Sequence, residues 1–500
     1  VGFWTLASRV LGFLREILIA AYIGPGPLLD AFVVAFRLPN MFRRFFAEGA
    51  FNAAFVPMCS RKFENGEDAT GFAQDALNAL ALVTLVLTGA AMIFMPALVW
   101  ATAGGFDEGL QATTTGYGRI VFPYIFFMSL SALFSGVLNA AGRFAAAAAA
   151  PILLNVFVVA AMVTAYVVGG TVVNWLIWSI PLAGAAQLAL TWRAAAQAGF
   201  ALGFGWPRWT ADIATMLRVA LPAALATGVM QVNLVVGQLV ASQYESAVSW
   251  LFAADRLYQL PLGVVGIAIG IVLLPDLARK LSAGDDAGAQ NALSRAAEVS
   301  LALTIPSAVA LLVIPLPLVS VLFERGATGP DDAAAIALAV AIYGLGLPAF
   351  VMQKFLQPLF FARSDTKSPF RYAVWAMVIN VALAVGLAPL IGWIAPAVGT
   401  SIAGWAMVWM LLRGTKDMGT VAQLDAQCRH RIWRIVAAAC VMGLALWGAQ
   451  LALSTALGTP MVRYAALLGL IGVAAVSYFG SGQVFGAFNL SDFKRAMRRS

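Results

Sequence analysis

Five hundred residues with 61% hydrophobic side chains, only 11% charged ones and a mean hydropathy of +0.86 exclude a soluble globular protein, whose charged fraction is about 25%. The net charge of +8 needs no nucleic acid, because basic loops beside anionic lipid account for it. Cys59, Cys428 and Cys440 are too widely spaced for a disulfide framework or a metal-ligand pattern, and the one histidine, His430, sits in a basic "CRH" read as solvated structure.

In chain order, two charged apolar segments come first, at about 4–24 and 30–58. The first holds arginines in its middle and lacks a small-residue cleavage site, so no cleavable signal peptide is expected. Uncharged runs follow at 76–106, 120–142, 219–244, 257–275, 299–323, 333–353, 435–462 and 464–491, each long enough for one helix across ~30 Å of hydrocarbon. Two longer runs are double: 144–192 is broken at "VVGGTVVN", and 372–412 near Pro389, Gly392 and Pro396. A barrel would show alternating segments of about ten residues instead. The expected fold is therefore an all-α polytopic membrane protein with 14 transmembrane helices.

Lys and Arg in the connecting loops set the orientation. With the N-terminus inside, 21 of them fall in cytoplasmic loops and the C-terminal tail, against Arg119, Arg325 and Arg463 on the other side. Both termini are expected to be cytoplasmic.

An internal repeat divides the chain. "FPYIFF" and "PILLNVFVV" answer to "LPAFVM" and "MVINVALAV", with Pro123 and Asn155 each 225 residues before Pro348 and Asn380. Arg37 and Pro57 likewise precede Arg256 and Pro275 by 219 and 218 residues. The expected organisation is a lobe of six helices at 1–200, a second at 201–425, and two further helices with a cytoplasmic tail at 426–500. Six helices per lobe makes the repeats parallel, a plan common among transporters.

The charges inside the spans carry the functional reading. Each Arg or acid at a helix centre costs about 2.5–3.5 kcal/mol unless it faces water or a partner. The first span has Arg9, Arg15 and Glu16; the second has Asp30, Arg37, Arg43, Arg44 and Glu48; Asp255 and Arg256 open the eighth, and Lys354 lies in the tenth. These helices are expected to line a polar cavity. At about 100° per residue, Arg37, Arg44 and Glu48 share a face and Arg43 lies about 100° away. Gly12 is a candidate flex point. Five arginines against three acids leave a positive excess that the second repeat lacks, since "MFRRFFAEGAF" is replaced there by "LPLGVVGIAIG". Forked Arg donors suit phosphate or carboxylate. No Walker loop, zinc-ligand pair or acidic metal motif accompanies them, so movement of an anionic ligand is expected rather than its conversion, with no cofactor or metal.

The segments "SRVLGFLREILIAAYIG", "DAFVVAFRLPNMFRRFFAEGAFNAAFVP" and "ADRLYQLPLGVVGIAIGIVLLPDLAR" resemble the signature segments of the MurJ (MviN) family, bacterial lipid II flippases of the multidrug/oligosaccharidyl-lipid/polysaccharide exporter superfamily. The resemblance implies fourteen helices, with the last two beside a groove for the lipid tail, in the bacterial inner membrane. It implies that Arg9, Arg15, Arg43 and Arg256 bind the diphosphate of lipid II, with Ser8, Glu16, Asp30, Glu48, Ser249 and Asp255 as polar neighbours; Arg37 and Arg44 belong to the candidate site by helical phase and charge instead. Two departures stand out: position 16 is Glu where many relatives have Asp, and Gln259 replaces a Glu of some relatives. A sodium site found in some members is not expected, because Asn233 and Asn380 have no acid beside them. Expected partners are lipid II, membrane lipids and the cell-wall synthesis machinery. The alternatives are a flippase for another polyprenyl-linked glycan or a drug antiporter of the same superfamily, although antiporters of cations would favour cavity carboxylates.

Overall fold

A bilayer offers no water to backbone N–H and C=O groups, so long uncharged runs satisfy them internally as helices. A computed structural model describes residues 2–43 and 50–487, and every regular element among them is helical. The chain runs through α1 (Gly2–Tyr22), α2 (Pro27–Arg43), α3 (Ala50–Glu64), α4 (Ala69–Ile93), α5 (Met95–Ala103), α6 (Glu108–Val121), α7 (Tyr124–Ala140), α8 (Ala145–Val168) and α9 (Val172–Gln197). A non-helical linker leads to α10 (Ala211–Ala241), α11 (Ala247–Ser282), α12 (Asp286–Val313), α13 (Pro315–Phe323), α14 (Pro330–Phe361), α15 (Lys367–Ile391) and α16 (Ala395–Gly414). The chain continues as α17 (Ala426–Ala452), the single turn α18 (Ser454–Leu457) and α19 (Val462–Val484). Nine helical segments among the described residues are long and apolar enough to cross a membrane. The charged α1 is not one of them.

The breaks lie where backbone chemistry puts them. Gly169 and Gly170, at φ +90° and +103°, end α8 inside "VVGGTVVN", and Gly392 at φ +66° ends α15. Both are left-handed conformations that favour glycine.

The repeat is present in local structure as well as in sequence. A helix, a one-residue break and a nine-residue helix beginning beside proline occur twice, as α4–α5 and α12–α13. Asp68 caps α4 by accepting from the Gly71 N–H at 2.6 Å; Asp285, 217 residues on, caps α12 by accepting from Gly288 at 2.8 Å. A similar turn lies at each cap, one residue closer to it in the second repeat. Gly66 and Gly284 adopt φ +68° and +70°, and the next residue's N–H closes back onto the carbonyl of Lys62 or Lys280 at 2.9 Å. Such agreement in caps and turns is not expected of chance matches among apolar residues.

Packing divides the chain into two compact units. One comprises the residues up to Ser249 with Arg325–Thr328; the other comprises Trp250–Glu324 and the residues from Gly329 onward. The first is centred on Phe51, Phe55, Phe72 and Phe134, with Phe55 stacked 5.1 Å from Phe51 and 5.5 Å from Phe72. Small residues allow the close approach that lipid-embedded helices need: a Cβ on Gly184 would come within 2.8 Å of the Tyr124 ring. α10 packs in this unit, against α3, α4 and α5. In the second unit Phe355, Leu359, Phe360 and Leu411 form the centre, and α17 packs on α12 and α19. Arg431 pairs with Glu298 at 3.0 Å, and the Tyr478 hydroxyl donates to the Ala302 carbonyl at 2.6 Å.

Candidate functional site

The motif "SRVLGFLRE" occupies the middle of α1, which runs unbroken through Gly12. Gly12 lies on the side of this helix that meets α8. It stands opposite Asn155 of α8, where a Cβ would lie 3.6 Å from the Asn155 nitrogen. Asn155 itself is 6% exposed and uses both ends of its amide. Its oxygen accepts from Arg15 Nη1 at 3.0 Å, and its nitrogen donates to the Ser8 carbonyl at 3.0 Å. Arg15 Nη2 meets the Glu16 carboxylate at 2.5 Å, while the buried Arg15 Nε has no hydrogen-bond partner. Ser8, Arg15 and Glu16 are thus brought into one cluster, and Arg9 is exposed on the same helix.

On α2, Asp30 is 1% exposed and accepts from the Ser249 N–H at 2.7 Å and from the Ser249 hydroxyl. Two predicted site residues 219 apart in sequence are therefore partners. Two turns further, Arg37 Nη1 donates to Gln238 of α10 at 3.1 Å, and the Gln238 amide donates to the Thr102 carbonyl of α5 at 3.3 Å. Arg43 ends α2, half-buried. Arg44 and Glu48 lie outside the described residues.

The second unit holds Asp255 and Arg256 on α11. The Arg256 guanidinium lies 4.6 Å from the Phe252 ring centre, a cation–π contact. The Gln259 amide donates to Asp255, a bond that a charged glutamate at this position could not make. One turn earlier, Trp250 donates to Asp332 at 2.8 Å and packs edge-on against Trp393 at 5.0 Å. Lys354 is exposed on α14.

Neutral groups therefore supply part of the hold on Arg15, Arg37 and Arg256: two amides and one aromatic face. Such partners fix a guanidinium without cancelling its charge. Over the described parts of α1 and α2, four arginines stand against Glu16 and Asp30. Among the described residues no group of three or more His, Cys, Asp or Glu is placed to hold a metal ion. Asn380 donates to Thr400 at 3.4 Å. The residues that sequence reasoning left out of the site are Asn155 and Gln238. Asn155 was visible only as a repeat marker, and no local pattern marks Gln238 as a partner of Arg37.

Comparison with known proteins gives the chain's family and fold. The MurJ family profile, described as "Lipid II flippase MurJ", matches residues 19–465. A "Probable lipid II flippase MurJ" of Rhizobium meliloti (strain 1021) is 42% identical, covering 100% of this chain and 95% of the relative. A "Lipid II flippase MurJ" of Burkholderia cenocepacia is 33% identical over 99% of this chain and 98% of its own length. Among solved structures, "Lipid II flippase MurJ, inward closed conformation" has a TM-score of 0.81 at 23% identity, covering 97% of this chain and 99% of that one. An inward-facing multidrug resistance MATE transporter of the MOP superfamily has a TM-score of 0.68 at 14% identity, over 84% of this chain and 96% of that one, so the two share a fold. With a family profile over most of its length and full-length relatives at 33% and 42% identity, the chain belongs to the MurJ family.

Proposed function

We propose that this chain carries lipid II, the undecaprenyl-diphosphate-linked disaccharide pentapeptide, from the cytoplasmic to the outer leaflet of the bacterial inner membrane, with both termini cytoplasmic. Family membership supports the reaction. The observation that carries the site is the arginine set of α1 and α2, in which Arg15 is half-buried beside one carboxylate and one neutral amide. Arg9, Arg15, Arg43 and Arg256 bind the diphosphate, whose oxygens match forked guanidinium donors. Ser8, Glu16, Asp30, Ser249 and Asp255 hold the surrounding geometry. The two repeats form six-helix lobes that rock to expose the headgroup on alternate sides, and the polyprenyl chain stays in lipid or along α17 and α19. Fourteen spans result when α2 with α3, α4 with α5, α6 with α7 and α12 with α13 each count as one crossing and the single turn α18 is not counted.

Arg43→Ala is expected to abolish flipping in a reconstituted assay while membrane insertion is unchanged. Normal flipping by that variant would remove Arg43 from the headgroup site.

A further inference from the structure

We infer that the linker joining the two repeats is a membrane-interface ribbon that seats Trp206 and Trp209 among lipid headgroups and offers Arg208 to the phosphate of anionic lipid. The side of the bilayer rests on the orientation proposed above; the ribbon's geometry does not.

The ribbon begins at a helix stop. Gly199 takes φ +97° and the Phe200 N–H closes back onto the Ala195 carbonyl at 3.0 Å, with Phe200 buried, which ends α9 in a Schellman-type turn. Residues 201–210 then have no regular structure, yet their backbone is tied to the helices beside them. Trp192 of α9 donates to the Leu202 carbonyl at 2.9 Å. On α4, Gln74 accepts from the Gly203 N–H at 3.0 Å and its amide donates back to the Gly203 carbonyl; Asn78 accepts from the Gly205 N–H at 2.9 Å. Glycine at 205 permits this approach, since a Cβ would lie 3.3 Å from the Asn78 nitrogen. Side-chain amides of a helix thus stand in for water, which a backbone at the edge of hydrocarbon requires.

With the backbone held inward, the two indoles point away from the protein: Trp206 is 89% and Trp209 77% exposed, and Arg208 between them is exposed as well, while Phe204 packs edge-on against Trp192 at 5.2 Å. In water such a row would be an apolar liability. Its depth indicates another surrounding. On α4 the last charge is Asp75, between Gln74 and Asn78; on α9 the uncharged run ends at Arg193, beside Trp192; on α10 it begins after Arg218. Each helix continues past that level for about 6–10 Å at 1.5 Å per residue. The ribbon is therefore pinned where α4 and α9 leave hydrocarbon, and it climbs through the headgroup layer to Thr210, the cap of α10. Indoles favour that layer, and a cation there meets phosphate. The acid next to the ribbon, Asp212, is already engaged by Lys62 at 3.0 Å.

The test uses the full chain reconstituted in vesicles and does not depend on transport. Emission of the Trp206→Phe, Trp209→Phe double variant is subtracted from that of the unaltered protein, because the chain has 14 tryptophans. The difference spectrum is expected to be blue-shifted, and quenched more by lipids brominated near the headgroup than at the chain end. When bromine is carried only by phosphatidylglycerol, Arg208→Glu is expected to lower the quenching; with brominated phosphatidylcholine it should change little. A difference spectrum typical of indole in water, unaffected by brominated lipid, overturns the ribbon and leaves a protein-docking face instead. Unchanged phosphatidylglycerol quenching in Arg208→Glu overturns the phosphate contact. Either result leaves the flippase reading intact, which is judged by Arg43→Ala.

Discussion

Asn155 accepts from Arg15 with its oxygen and donates to the Ser8 carbonyl with its nitrogen, so one side chain of α8 holds two turns of α1. Hydrogen bonds to charged groups are worth about 1.5–3 kcal/mol. Asn155→Ala is therefore expected to slow flipping by ~10–100-fold. Asn155→Asp keeps the acceptor but adds negative charge and loses the donor to Ser8; its defect should appear more in the apparent KM for an anionic headgroup than in kcat. Initial rates across substrate concentration in proteoliposomes check both, and an Asp variant with unaltered KM would count against an anion beside Arg15. Gly326 is the other single position with a sharp expectation. Its φ is +60°, and a Cβ would sit 2.1 Å from the Ala21 carbonyl oxygen, within a loop whose Ala327 N–H and Thr328 hydroxyl are bonded to Ala21 and Ala20. Gly326→Ala should destabilise the protein by about 1–3 kcal/mol, read as a lower thermal midpoint in detergent.

Four of the helices begin at aspartates. Asp68, Asp107, Asp285 and Asp425 each accept from the backbone N–H three residues on, at 2.5–2.8 Å. Asp68→Ala and Asp285→Ala should each cost about 1 kcal/mol, and because the two caps are repeat mates their effects on thermal unfolding should be similar and close to additive. Just before α15, the Ser368 N–H donates to Asp365 and holds its carboxyl below the ordinary aspartate range. A lowered folded-state value contributes stability that is complete above about pH 4 and is lost as pH falls through that lowered value. Acid titration of thermal stability should therefore show a weaker low-pH loss in Asp365→Asn. These caps were open to reading from sequence, because an Asp followed by a helical run is a local signal. The break inside "VVGGTVVN" was equally legible, since two glycines in succession supply a conformation that few residues share. The pairing of α10 with α3, α4 and α5 was not, because an uncharged run says that a helix is buried in apolar surroundings and nothing about its neighbour.

For the molecule as a whole, we propose the membrane potential as the drive for an anionic cargo. A unit charge leaving a negative interior gains about 2.3 kcal/mol per 100 mV. Setting a potassium diffusion potential across proteoliposomes is expected to shift the distribution of lipid II about 50-fold per charge moved and per 100 mV; no response to potential would mean that the cargo's charge is compensated during transport. Sequence by itself determined the membrane class, the helical breaks, the duplication and the excess of arginine on the first two spans, because each is written in composition or in spacing along one dimension. It also favoured Arg43 over Arg44 only by family resemblance, against helical phase, and Arg44 lies outside the described residues. Tertiary structure alone decided that Arg15 answers to Asn155, Asp30 to Ser249 and Arg37 to Gln238, pairs separated by 140, 219 and 201 residues. Such pairs depend on which helix faces pack together, and in lipid that choice is made by close van der Waals fit and polar matching between helices, for which a single chain's pattern of charges carries no record.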